Sequence, residues 1–149
     1  MSRIVGIDPG EVRIGLAISD EEQSIAFPRA TVTAGGGAEE SARNVQRALA
    51  DEDVEMAIVG LPLRLDGTEG EAARRARVLG EALRTVLDAE VVYWDERMTT
   101  VAAERSLREM GRRGSRRREV VDQSAATILL QGYLDATKGG AWTEIDPSG

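Results

Sequence analysis

The chain has 149 residues, 42% of them hydrophobic and 30% charged, with a net charge of −7. That length and composition suit one soluble globular domain with its own core, and no apolar run reaches a membrane span or forms a signal peptide. There is no cysteine, which excludes disulfide and thiolate chemistry and fits a cytoplasmic setting, and no histidine, which removes the commonest general base and zinc ligand.

Arg3 to Ile7 is a short apolar strand that ends at Asp8, and Asp8-Pro9-Gly10 is turn chemistry. Arg13 to Ser19 alternates Ile14, Leu16 and Ile18 on one face. Ser24 to Val32 reads as a third strand, with Pro28 marking an edge or a bulge. Gly35-Gly36-Gly37 breaks the chain before a helix over 38–49, where Ala38, Ala42, Val45 and Leu49 fall at helical spacing. Met56 to Val59 is a continuous apolar strand ending at Gly60, and a loop follows over 61–67, closed by Asp66-Gly67. Thr68 with Glu71 three residues on predicts a capping box for a helix through Ala72, Ala76, Leu79, Leu83 and Val86. Val91 to Trp94 is the fifth strand, and a helix follows over 101–110. Gly111 and Gly114 frame a basic loop, and the last helix spans 117–136 with Val121, Ala125, Ile128 and Leu129 inward. Residues 1–138 read as a single domain and 139–149 as a flexible tail. Three strands able to pair by hairpins, then helix, strand, helix, strand, helix, helix, predict a mixed α/β sheet with helices on both faces.

The charge is unevenly spread. Residues 104–119 hold seven arginines (105, 108, 112, 113, 116, 117 and 118) against Glu104, Glu109 and Glu119. That window carries +4 and leaves −11 on the rest, a pattern that fits either an anion-binding patch on an acidic body or a solvated arginine-rich loop.

With no histidine, any chemistry leans on Asp and Glu, and carboxylates alone select a hard cation such as Mg²⁺ or Mn²⁺. Asp95 and Glu96 stand at the tip of a buried strand, where carboxylates are costly unless paired, hydrogen-bonded or holding a metal. They equally suit capping the next helix or pairing with Arg97, and strand alternation sends them to opposite faces, so at most one of the two reaches a site. Asp8 follows another buried strand, although Asp-Pro-Gly suits a type II turn by itself. Asp122 lies near the start of the last helix, where the helix dipole favours an acid. Yet Val121, Ala125, Ala126 and Leu129 surround it on the helical wheel, so it borders the buried face. Three acids and one metal would account for all three settings.

These segments occur in a fixed order: Ile4-Val5-Gly6-Ile7-Asp8-Pro9-Gly10 with Arg13-Ile14-Gly15, Gly60-Leu61-Pro62 with Asp66-Gly67-Thr68-Glu69-Gly70, Asp95-Glu96-Arg97 with Thr99-Thr100, and Val121-Asp122 with Ala125-Ala126. Over Arg3 to about Asp135 the chain resembles the YqgF (RuvX) family of nucleases with an RNase H-like fold. The resemblance implies a five-stranded mixed β-sheet flanked by α-helices and a divalent-metal nuclease maturing the 5′ end of pre-16S rRNA in ribosome biogenesis. It also implies Asp8, Glu96 and Asp122 as the metal-binding and catalytic acids. An older reading of the family is a Holliday junction resolvase. Arg13, Thr99 and Thr100 are then candidate phosphate contacts, and Arg112, Arg113, Arg116, Arg117 and Arg118 candidates for holding the nucleic-acid backbone. The expected partners are pre-rRNA or structured DNA and the ribosomal particle, with the chain a monomer or a dimer. Two departures stand out. Glu11 adds an acid beside Asp8, and the fourth strand supplies no acid, so Glu96 must reach across it. A non-catalytic RNA-binding or transcription-associated role uses the same basic segment, whereas an actin-like or sugar-kinase-like ATPase needs a second domain that this length does not hold.

Overall fold

A computed structural model describes residues 2–98 and 115–138. Its sheet has five strands, β1 (Arg3–Pro9), β2 (Arg13–Ser19), β3 (Ala26–Thr33), β4 (Val54–Leu61) and β5 (Glu90–Asp95), in the spatial order β3-β2-β1-β4-β5. The two hairpin pairings, β1 with β2 and β2 with β3, are antiparallel. Crossovers through helices make β1–β4 and β4–β5 parallel. The sheet is mixed, as the element order predicts. β1, β4 and β5 read as continuous apolar runs because both of their faces are covered.

On one face α1 (Ala38–Ala48) and α2 (Glu71–Val86) bury Val45, Leu49, Ala76, Leu79 and Leu83 against Val5, Ile7, Leu16, Val59 and Tyr93. On the other, α3 (Ser115–Lys138) lays Ala125, Ala126, Leu129 and Leu130 over Ile4, Ala17, Ile58, Val92 and Trp94. Trp94 meets Tyr133 edge to face, with ring centres 5.3 Å apart. Gln131 fixes α3 to the start of β3: its Nε2 donates to the Ser24 carbonyl (3.0 Å) and its Oε1 accepts from the Ala26 N–H (2.8 Å).

Five expectations change. β1 does not stop at Asp8: Asp8 and Pro9 still pair with Gly15 and Ile14, so the ladder holds the tripeptide extended. Among the described glycines a positive φ is confined to Gly36, Gly37 and Gly67, so Asp8-Pro9-Gly10 forms no type II turn. Gly10 is needed because a Cβ there would run into the Arg13 carbonyl oxygen. The capping box does not form either. Asp66 Oδ1 accepts both the Thr68 N–H (3.0 Å) and its hydroxyl (2.6 Å), which commits Thr68 to the preceding turn. Helix α2 starts after Gly70 with no side-chain cap, and Glu71 pairs with Arg74 instead. Along α2, Ala73 rather than Ala72 faces the core. Along α3 the fully buried side is completed by Ala126 and Leu130, while Ile128 is half-buried. Pro28 marks both an edge and a bulge, since β3 closes the sheet and its register with β2 shifts between Leu16 and Ala17. The helix expected over 101–110, the basic loop after it and the tail over 139–149 lie outside the described residues.

Candidate active site at the ends of the parallel strands

The three parallel strands finish at the same end of the sheet, where open α/β sheets place their ligand sites. β1 brings Asp8, its penultimate residue, to that end, and β4 brings Gly60 and Leu61. β5 delivers Asp95, and one turn of 3₁₀ helix, Glu96–Met98, follows at once. The register that pairs Ile7 with Val59 and Gly60 with Trp94 sets Gly60 between Asp8 on one side and the end of β5 on the other. All three carboxylate residues are buried: Asp8 is 1% exposed, and Asp95 and Glu96 are each 3% exposed.

Buried acids call for partners, and Asp95 and Glu96 are placed differently. Asp95 is held by Arg97, whose Nε lies 3.0 and 2.9 Å from its two oxygens and whose Nη2 lies 2.6 Å from Oδ2. The Arg97 backbone N–H also donates to Asp95 Oδ1 (2.9 Å). This hydrogen bonding raises the Arg97 guanidinium above its ordinary value. Glu96 turns the other way. A Cβ built on Gly60 would lie 2.7 Å from Glu96 Oε1 and 3.2 Å from Leu129 Cδ2, so the Glu96 side chain lies across β4 in the gap that glycine leaves. The fourth strand therefore contributes a missing side chain instead of an acid. That role of Gly60 is not visible in the sequence pattern, which gives Gly60 only as the end of the fourth strand. The only hint of it is a glycine in an otherwise apolar strand, a mark of close approach.

Helix α3 roofs this end of the sheet. Tyr133 and Leu134 lie beside Ile4, and Leu130 Cβ and the Ala126 carbonyl approach Gly6, so α3 runs antiparallel to β1 and its N-terminal half heads toward Asp8. Asp122 is one turn before Ala126 on that half. Its side chain, like those of Arg116, Arg117 and Arg118, lies outside the described residues, as do Thr99, Thr100, Arg112 and Arg113 altogether. Arg13 opens β2, two residues before the Gly15 that pairs with Asp8, and is half-buried at the same end. Among the described residues no cluster of three acidic side chains forms. Asp8 and Glu96 supply oxygen donors only, a set that fits a hard divalent cation.

A family model described as RuvX, Holliday junction resolvase, matches residues 2–136. The chain belongs to the RuvX family. Two RuvX relatives carry the provisional name pre-16S rRNA nuclease. The one from Chloroflexus aggregans is 43% identical over 135 residues, covering 91% of this chain and 94% of its own length. The one from a Nocardioides species is 46% identical over 149 residues, covering 95% and 94%. Among solved structures, Thermus thermophilus RuvC in complex with a Holliday junction substrate superposes with a TM-score of 0.59 at 16% identity, covering 97% of this chain and 100% of the other. The Fowlpox virus resolvase with Holliday junction DNA gives 0.50 at 12%, covering 91% and 98%. At such identities these likenesses establish the fold alone: this RuvX member has the RNase H-like architecture of the resolvases.

Proposed function

We propose that this chain is a nuclease that hydrolyses phosphodiester bonds of precursor 16S rRNA in the cytoplasm, using Asp8, Glu96 and Asp122 to hold Mg²⁺ or Mn²⁺. One observation carries the reading. Arg97 pairs with Asp95, while Glu96, just past β5, lies over Gly60 of the strand next to β1, and Asp8 is buried at that same end of the sheet. Asp122 is the third acid because stepping back along α3 from Leu134 at Ile4 and Leu130 at Gly6 leads, one turn beyond Ala126, to the level of Asp8. The cation, when bound, lowers the pKa of a water and offsets the charge that develops on the phosphodiester. The protein's own groups do the rest. Asp8, Glu96 and Asp122 fix the cation's place; Arg97 keeps Asp95 from competing for it; Arg13, Thr99 and Thr100 hold the phosphate; and Arg112, Arg113 and Arg116 to Arg118 hold the backbone without reading sequence. Residues 1–138 form the nuclease domain, and the ribosomal particle supplies the substrate's shape. In support, relatives covering most of this chain bear the pre-16S rRNA nuclease name. No helix among the described residues is long and apolar enough to cross a membrane.

A second reading, a resolvase of four-way DNA, is favoured by the family model's description. It uses the same acids but needs two active sites and so a dimer. The experiment mixes the protein with end-labelled RNA spanning the 5′ precursor region, or with a four-way DNA junction, in Mg²⁺, Mn²⁺ or chelator. Metal-dependent RNA cleavage that falls at least about a hundredfold in Asp8→Asn is expected, since losing even an outer partner of a metal site costs roughly 10–100-fold. Symmetric cutting of the junction instead selects the resolvase. Equal binding by wild type and Asp8→Asn, with neither substrate cut, removes the nuclease reading in favour of a non-catalytic RNA-binding role.

A further inference from the structure

Leu65 is 97% exposed, far more than any other large hydrophobic side chain among the described residues. An exposed leucine on a loose loop would be unremarkable, but this one is held on a braced projection. The Gly67 N–H donates to the Arg64 carbonyl (2.9 Å), closing a turn with Leu65 and Asp66 at its tip, and the Arg64 N–H donates to the Thr68 carbonyl (2.9 Å) just below. Gly67 takes a φ of +87°, which favours glycine there. The loop's feet are fixed as well. Leu63 packs on the core, and Glu69 accepts from Arg77 Nε at 2.8 Å with both oxygens. The middle rests on Arg97: its Nη1 donates to the Leu65 carbonyl (3.4 Å), and its guanidinium lies under Gly67. That same guanidinium clamps Asp95, the neighbour of Glu96. The braces thus fix Leu65 relative to the candidate site.

The chemistry around the tip points to nucleic acid. Arg64 and Asp66, on either side of Leu65, both turn back onto the Thr68 hydroxyl, and Arg97 is committed to Asp95, so the tip presents a bare apolar side chain beside the candidate site. An apolar side chain held out beside a nuclease site matches the apolar wedges that proteins insert between stacked bases. Trp94 and Tyr93 are both buried, so among the described residues no aromatic side chain of this end of the sheet offers bases a stacking platform. We propose that Leu65 is a wedge that inserts between stacked bases at a duplex end of the substrate and opens the step beside the scissile phosphate. The wedge rests on the nuclease reading and adds to it a preference for cleavage sites bordered by paired RNA.

The test uses the full chain, two end-labelled RNAs of the same sequence around the cut, one bordered by a hairpin stem and one unpaired, and a stem carrying 2-aminopurine at each position of its end in turn. Leu65→Ala should lower the ratio of cleavage rates, stem-bordered over unpaired, at least fivefold, with Leu65→Phe restoring it and all melting temperatures alike. In the Asp8→Asn background, which binds without cutting, one 2-aminopurine position should brighten on binding and stay dark once Leu65→Ala is added. A smaller change in the ratio, or brightening that survives Leu65→Ala, overturns the wedge and leaves the tip as a contact for a protein partner. Failure of the wild type to cut either RNA with metal would instead sink the nuclease reading, and the fluorescence arm would still decide the wedge.

Discussion

At Gly60 one hydrogen atom separates two outcomes. In Gly60→Ala the new methyl meets the far end of a flexible side chain, Glu96 Oε1 at 2.7 Å, before it meets anything rigid. The carboxylate gives way and the sheet does not. Stability should move by less than about 1 kcal/mol, since alanine also suits a strand slightly better than glycine. Mn²⁺ affinity should drop roughly tenfold or more. Calorimetric titration with Mn²⁺ beside a thermal melt separates the two effects, and an unchanged affinity would show that Glu96 does not hold the ion. The unusual setting of Asp8, Asp95 and Glu96, all buried, was legible in the sequence, because carboxylates after apolar runs are anomalous wherever they occur. Which of Asp95 and Glu96 turns inward was not. It depends on Arg97 folding back on Asp95 and on the gap at Gly60, one strand away in space and 36 positions away in sequence.

Helix α3 packs on the sheet through a second glycine, and here the neighbour cannot yield. A Cβ on Gly6 would stand 2.7 Å from Leu130 Cβ and 3.0 Å from the Ala126 carbonyl oxygen, atoms fixed by the helix itself. Gly6→Ala must lift α3 or bend β1, an overpacking that costs about 1–3 kcal/mol. Urea denaturation should show that loss. Cleavage should weaken further than stability explains, because α3 carries Asp122; full activity in a destabilised Gly6→Ala protein would argue against Asp122 in the site. Elements were legible wherever periodicity was long: all five strands and the three described helices fall where the apolar pattern puts them. The misreadings came from short motifs with a competing local partner. Thr68 bonds to Asp66 before it can cap α2, and Asp8-Pro9-Gly10 stays extended because Gly15 and Ile14 hold it in the ladder.

Across the whole molecule the absence of histidine and cysteine shapes the response to pH. The carboxyls of Asp20, Glu55, Asp66 and Glu69 are lowered from 3.8 for Asp and 4.5 for Glu, chiefly by hydrogen bonds from Ile25, Ser2, Thr68 and Arg77 respectively. A lowered folded-state value adds stability above the unfolded value, and that stability is lost as pH falls through the folded one. Tyr93 has the opposite sense. Burial first, then its hydrogen bond to Glu81, pushes its phenol above 10.0, so its contribution is present below that value and lost as pH rises beyond it. The melting temperature should therefore form a plateau between about pH 5.5 and 9 and fall on either side. Melts across pH 3–11 check this, and a step near pH 6–7 would contradict it. The topology was legible as a whole because hairpin-sized gaps precede helix-sized ones. The outer edge formed by β3 has a further consequence. Its start exposes Phe27, with Ile25 just before it, two side chains that would invite a neighbouring chain to extend the sheet. Pro28 sits beside them without an N–H, at the strand's register shift, and blocks that addition. The residue at one strand's register shift thus also works against copies of this protein pairing edge to edge.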